Sequence, residues 1–250
     1  MTMRILSIGN SFSEDAQAYL HALAQQRGID LVCENLAIGG CSLQTHWNNV
    51  AGNHKEYLYG VNGTWVAHPV TVAEVIEKGH YDAVTLQQVS GLSGQYKTYQ
   101  PYLSDLAAYV REKQPGADLY FHRTWAYEID SPHGDFPRYD RDQRKMYDAI
   151  CAASDAACLV TGATMIHSGT VIQRLRETVP AFDVANGGES LCRDSFHMSE
   201  TYGRYAVALT WLATFGGKRV RAMPFMELDM DKLQSFLARR APGNAEYSTP

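Results

Sequence analysis

Two stretches at opposite ends of the chain carry side chains that could pass one proton between them. Near its start the chain reads "RILSIGNSFSEDA", Arg4 to Ala16, and near its end "CRDSFHMSE". A serine hydroxyl is a poor nucleophile at neutral pH without a base. The second stretch offers one, because Asp194 precedes His197 by three residues. In a tight turn that spacing lets a carboxylate take the Nδ1–H of the imidazole, leaving Nε2 to accept a proton from a serine. Ser11 is the candidate nucleophile, His197 the base and Asp194 the orienting acid. Each stretch also has a plainer reading: a turn followed by a helix cap, and a surface Asp–His turn.

Acyl chemistry also needs donors for a developing oxyanion. "NLAIGGCS" ends an apolar run in Gly39-Gly40, where the missing side chain would let a backbone N–H approach a substrate oxygen. "TLQQVSG" puts Gln87 and Gln88 at the end of another apolar run, where a buried amide must find a partner. Taken singly, these are also common features of turns and cores.

The elements that must position these groups alternate along the chain. "RILSIG" reads as a buried strand, followed by a helix over "SEDAQAYLHALAQQRG" with Ser13 as N-cap and Gly28 past its end. "IDLVCENLAIGG" is a second strand; "TVAEVIEKG" is a helix before the strand "YDAVTLQQVSG". A helix over "QPYLSDLAAYVREKQPGA" leads to the strand "DLYFHRTWAY", and a long helix from about Tyr139 to Ala153 precedes "AACLVTGA". Ser199 opens a strongly apolar last helix. Strands apolar on both faces and separated by helices predict an α/β fold: a three-layer α/β/α sandwich around a mostly parallel, flavodoxin-like sheet of about five strands. The segment from about 44 to 69 interrupts the alternation with an Asn-Gly turn between aromatic-rich arms, and reads as an inserted hairpin overhanging one end of the sheet. One domain over residues 1–242 and a frayed tail over 243–250 are expected.

Composition excludes several classes. With 45% hydrophobic and 20% charged residues and a formal net charge of −5, the chain has no basic field for nucleic acid. No apolar run reaches the ~18 residues of a membrane span, and no export signal precedes the first strand, so no membrane partner is expected. Five cysteines, Cys33, Cys41, Cys151, Cys158 and Cys192, contain no CxxC pair, which suits reduced thiols in a cytoplasmic protein and gives no structural zinc or other metal site.

In chain order, the four segments resemble the blocks of the SGNH (GDSL-like) hydrolase superfamily. "IGNSFS" matches the first block with Asn10 where GDS sequences have Asp, "NLAIGGCS" aligns its glycine with Gly40, and "DSFHMSE" matches the last block. In the third block "LQQVS" replaces the usual Gly-x-Asn-Asp. The resemblance implies a serine esterase working through an acyl-enzyme without metal or organic cofactor. Ser11, His197 and Asp194 would form its triad; the N–H groups of Ser11 and Gly40 and the amide of Gln87, or else Gln88, would be its oxyanion donors.

A small-molecule or oligosaccharide ester is the expected partner, with acetyl on a carbohydrate as first choice and lipid or aryl esters as alternatives. Asn10, Trp47, Trp65 and Trp125 are the candidate substrate contacts, with Trp125 as pocket wall; core filling is the competing role for any such aromatic. Two rivals stand beside this reading. One takes "GNSFS" as an anion-binding turn for a nucleotide or flavin phosphate; the other is a non-catalytic carbohydrate-binding relative. Ser93 and Ser168 do not fit the G-x-S-x-G nucleophile elbow of another hydrolase fold.

Overall fold

Four of the expected strands lie side by side where the sequence places them, a fifth follows "AACLVTGA", whose residues to Thr161 are helical, and among the described residues two more extend their sheet. The computed structural model of the chain describes residues 2–221. In chain order its elements are β1 (Met3–Gly9), α1 (Ser11–Gln17), α2 (Leu20–Gln26), β2 (Leu31–Ala37), α3 (Leu43–Gly52), β3 (Tyr57–Val61), β4 (Thr64–Val70), α4 (Val72–Ile76), β5 (Ala83–Leu86), α5 (Tyr102–Lys113), β6 (Asp118–His122), α6 (Gln143–Thr161), β7 (Thr164–Ile166), α7 (Ser168–Thr178) and α8 (Tyr202–Arg221). Among the described residues the sheet runs β4-β3-β2-β1-β5-β6-β7. The block β2-β1-β5-β6-β7 is parallel throughout, while β3 pairs antiparallel with β2, and β4 with β3.

Helices cover both faces. On one face α1, α2, α7 and α8 pack with Ile5, Phe12, Leu20, Trp125, Ile172 and Trp211 in a continuous core. On the other, α3 to α6 enclose Leu6, Ile8, Leu36, Leu86, Leu103 and Phe121. The alternation of Ile5 against Leu6 along β1 is what buries both sides of that strand.

Several boundaries differ from the sequence expectation. Among the described residues the sheet is mixed and has seven strands rather than being mostly parallel with about five, because the Asn62-Gly63 hairpin does not overhang an end: it adds its two strands to the β2 edge. The first helix breaks at Ala18–Tyr19 into α1 and α2, and its N-cap is Asn10, whose Oδ1 accepts the Phe12 N–H at 3.0 Å. Ser13 lies inside the helix and bonds to Asn10 O and Asn35 Oδ1. The helix expected to end at Ala153 runs on to Thr161, and the short strand after it is Thr164–Ile166. Ser199 accepts the Gly203 N–H at 3.0 Å just ahead of α8. The expected domain end at 242 and the tail 243–250 lie outside the described residues.

Register is what positions the site. Gly9 pairs with Ala37 across β1 and β2, and Ile8 with Leu86 across β1 and β5. Asn10-Ser11, Gly39-Gly40 and Gln87-Gln88 therefore leave three adjacent strands at the same end of the sheet, the carboxyl end where ligands of open α/β sheets gather. Gly9 itself is a close-approach position: a Cβ there would sit 2.5 Å from Ser13 Oγ and 3.3 Å from the Gln87 side chain. Overpacking of this kind costs ~1–3 kcal/mol. Gly9→Ala is expected to lower Tm by several degrees in a thermal melt; an unchanged Tm would show that the turn after β1 has room to shift.

Candidate active site

Ser11, at the first position of α1, and His197, in the loop before α8, meet with His197 Nε2 2.8 Å from Ser11 Oγ. The other ring nitrogen, Nδ1, lies 2.6 Å from Asp194 Oδ2. A carboxylate only accepts, so Nδ1 carries the proton and Nε2 faces the hydroxyl as an acceptor. Asp194 Oδ1 also accepts the His197 and Phe196 backbone N–H groups at 2.7 and 3.3 Å. Partial burial pushes the Asp194 pKa up, but the bonds from the His197 ring and backbone outweigh it and hold the carboxyl below its ordinary value. The associated stability is present above the ordinary carboxylate pKa and is lost as pH falls through the lowered one.

The loop that carries this pair is clasped at its base. Cys192 and Met198 form an isolated antiparallel bridge, and Arg193 N donates to His197 O at 2.9 Å. Ser195 sits between acid and base with φ +75, a left-handed conformation uncommon outside glycine and Asn. Neighbours hold it there: its carbonyl accepts the Glu128 N–H at 2.8 Å, and its hydroxyl bonds Ser131 Oγ at 2.8 Å.

Docking of that loop onto α1 depends on Asp15, one turn after Ser11 and fully buried. Its Oδ1 accepts Arg193 Nη1 at 2.9 Å and Arg204 Nε at 2.8 Å, and its Oδ2 accepts the Met198 N–H at 2.7 Å. In the sequence Asp15 is only an acid near the start of a helix, and the distant arginines leave no local signal.

On the far side of Ser11, Gly40 has φ +64, and its N–H donates to no other group among the described residues. The Ser11 N–H is likewise without an acceptor there. Asn10 is buried, and its contacts are internal: its Nδ2 donates to Cys41 O at 3.1 Å, and its Oδ1 accepts both the Phe12 N–H and Gln87 Nε2, the latter at 2.6 Å. Asn10 thus ties the turn that carries Ser11 to the Gly40-Cys41 turn instead of facing a ligand. Gln87 Oε1 in turn accepts from His122 Nδ1 at 2.9 Å. Burial pulls His122 down to about 3, so it is neutral, with Nδ1 carrying the proton. Gln88 is fully engaged elsewhere: Oε1 accepts the Leu43 and Val89 N–H groups, and Nε2 donates to Thr98 O and Oγ1.

The tryptophans separate. Trp125 is completely buried and stacks on Phe12 at 4.2 Å and 5°, with Nε1 donating to Phe196 O at 2.7 Å. It is a prop beneath the site rather than a pocket wall. Trp47 is half-buried against the core under α3, and Trp65 on β4 is 46% exposed. Ser93 Oγ donates to Ser90 O, and Ser168 Oγ accepts from Trp211 Nε1; neither meets a histidine. Cys41 sits beside Gly40, but burial pushes its thiol up to about 12 and leaves it protonated.

A family profile described as a domain of unknown function, DUF4886, matches residues 4–245. Among curated proteins none matches the sequence. A DUF4886 family protein from Bacteroides uniformis is similar at 34% identity, over 96% of this chain and 92% of its own, with a TM-score of 0.83. A candidate SGNH hydrolase from Slackia heliotrinireducens is 21% identical over 86% of this chain and all of its own, with a TM-score of 0.59. Axe2, an acetylxylan esterase from Geobacillus stearothermophilus, is 15% identical over 88% and 97%, with a TM-score of 0.54. At these identities the last two share the fold.

Removing one partner of a buried ionic cluster costs ~3–5 kcal/mol. Asp15→Asn is expected to lose stability of that order, measured by chemical denaturation. A loss below about 1 kcal/mol would mean that the Arg193–Met198 loop docks without the carboxylate.

Proposed function

The chain belongs to the DUF4886 family, and from its site geometry we propose that this member is a serine esterase of the SGNH type that releases small acyl groups, acetyl foremost, from a carbohydrate or similar alcohol. The observation that carries the reading is the hydrogen-bonded chain from Asp194 through His197 to Ser11, with spacings of 2.6 and 2.8 Å. The shared fold with an acetylxylan esterase supports it.

In this mechanism Ser11 Oγ attacks the ester carbonyl carbon while its proton passes to His197 Nε2. The carbonyl oxygen takes the negative charge and is met by the N–H groups of Ser11 and Gly40. Collapse breaks the bond to the leaving alkoxide, which receives the proton from His197, and leaves the acyl group on Ser11. Water, deprotonated by the same imidazole, then attacks the acyl-enzyme and releases the acid. Asp194 fixes the tautomer throughout.

Gln87 is the third oxyanion donor in this proposal. Its Nε2 spends one N–H on Asn10 Oδ1 and keeps the other, whereas the two acceptors on Thr98 take both N–H groups of Gln88. The rival phosphate-binding reading loses support because Asn10 already occupies the Phe12 and Ser13 N–H groups that a phosphate would need. Five free cysteines suit the cytoplasmic location included in the proposal. Among the described residues no helix is long and apolar enough to cross a membrane.

A fluorophosphonate probe is expected to label the protein and to leave Ser11→Ala unlabelled; equal labelling of both would remove Ser11 as nucleophile. Among 4-nitrophenyl esters the acetate should be the best substrate, and a preference for long chains would defeat the small-acyl part. Gln87→Leu should cut kcat on the acetate by about 10²-fold or more. Gln88→Leu should instead lower stability, through the unpaired Leu43 and Val89 N–H groups, with a smaller effect on kcat. The reverse ranking would exchange their roles.

A further inference from the structure

The cleft beside the nucleophile helix has the composition of a sugar subsite. Ser11, Glu14 and Ala18 lie along one stripe of α1, spaced so that each sits about one turn, ~5 Å, beyond the last. Following that stripe away from Ser11 leads into a cleft of about 140 Å³ lined by Glu14, Ala18, Asn35, Gly60, Trp65 and Arg204, among others. It has room for one ring-sized group.

Its walls are unlike a core gap. Trp65 faces Gly60 across the β3–β4 pair, and a Cβ on Gly60 would come within 3.0 and 3.1 Å of two ring carbons. The indole therefore lies flat on bare backbone, and at 46% exposure its outer face is open. The Glu14 carboxyl has no hydrogen-bond or ion-pair partner among the described residues, although it is more than half buried. Burial first, and then the charge of Asp15, push its pKa up, with Arg204 and Arg193 opposing. Asn35 gives its Oδ1 to Ser13, and its Nδ2 has no partner among the described residues. An apolar ring face ringed by an uncommitted acid, an amide N–H₂ and a guanidinium matches a sugar, which shows C–H groups on its faces and hydroxyls around its edge.

Resting on Ser11 as the nucleophile, we propose that this cleft holds the sugar ring of the ester substrate, stacked on Trp65, with its hydroxyls bonded to Glu14 and Asn35. The ester oxygen on the ring then points back along α1 to Ser11. Trp65 and Glu14 set the preference for the alcohol part of the substrate, while the triad acts on the acyl part. Neither Trp47 nor Trp125 can replace Trp65, since the first packs on the core and the second is sealed beneath the site.

Two measurements test this separately from the chemistry. In Ser11→Ala protein, methyl β-D-glucopyranoside at millimolar concentration should quench tryptophan fluorescence saturably, and Trp65→Ala should abolish the quench. In the active protein, Trp65→Ala should lower kcat/KM for the acetylated glycoside about tenfold more than for 4-nitrophenyl acetate, with Trp65→Phe restoring most of the difference. Glu14→Gln, which keeps a carbonyl acceptor at the same reach, should retain binding better than Glu14→Ala. Labelling of Ser11 without a sugar quench, and with equal losses on both substrates, overturns the subsite and leaves the esterase reading standing. A quench that depends on Trp65 in a protein that no probe labels supports the sugar cleft and overturns the esterase.

Discussion

A carboxylate with no exposure to water, Asp15, determines whether there is a site at all. Its three bonds join α1 to residues 178 to 189 positions further along the chain. Burying a lone carboxylate is among the most costly changes a fold can make, so this one is tolerable only with all three donors in place. That requirement makes the docking of the Arg193–Met198 loop nearly all-or-none. Because Ser11 and Asp15 are one turn apart on α1, the geometry that satisfies the acid also sets the distance between the hydroxyl and the imidazole. Trp125 adds an apolar support from below, stacking on Phe12 and holding the Phe196 carbonyl, so the residues next to both Ser11 and His197 rest on one indole.

The opposite side of Ser11 is held by neutral groups. The chain His122 to Gln87 to Asn10 to Cys41 O is a run of single hydrogen bonds in which each acceptor dictates the orientation of the next group. The amide oxygen of Gln87 cannot donate, so His122 presents Nδ1–H and leaves Nε2 without a partner among the described residues, while its ring stands nearly perpendicular to that of Trp211, 5.0 Å between centroids. A charged imidazole there would have no counter-ion, which is why burial keeps it neutral. One flank of Ser11 is thus fixed by paired charges and the other by oriented dipoles, and the two depend differently on pH.

The elements were more legible than their partners. The parallel strands, the Asp194–His197 spacing and the Asn-Gly hairpin all follow from local pattern, and local pattern survives in the fold. Which strand edge receives a hairpin does not, because unpaired N–H and C=O groups on the β2 edge attract it and no residue in the hairpin names that edge. The helix cap differs for a similar reason: Ser13 is a good cap type, but Asn10 is too, and the helix starts directly after β1 ends at Gly9, with Ser13 packed against that glycine. The order of Gln87 before Gln88 comes from the resemblance alone, and Trp125 as pocket wall from its place past a strand end; neither residue type names its partners. Gln88 became structural because Thr98, in a turn ten residues on, folds back to meet it, and Trp125 was sealed in because Phe12 covers its face. Asp15 and Glu14 look equivalent in sequence, yet one helix position separates a saturated clamp from an acid with no partner.

The openness of the acid–base pair bears on which terms lower the barrier in the proposed reaction. The Asp194 side chain is 42% exposed and that of His197 20%, so water screens their mutual field. A charge pair at ~4 Å contributes about 1 kcal/mol in water and about 4 kcal/mol at an effective dielectric near 20, and this pair lies toward the wetter end. An oxyanion donor removed from a preorganised site costs about 3–4 kcal/mol. The Gly40 N–H lies on a turn fixed by Asn10, and Gln87 is buried, so neither donor needs to reorient when charge appears. Asp194 then matters chiefly as a clamp on the tautomer and direction of His197, a geometric duty that screening does not weaken. In the proposed reaction the larger share of the barrier lowering falls to these preorganised donors, of which Gln87 is sealed from solvent while Gly40 lies exposed beside the substrate side of the turn.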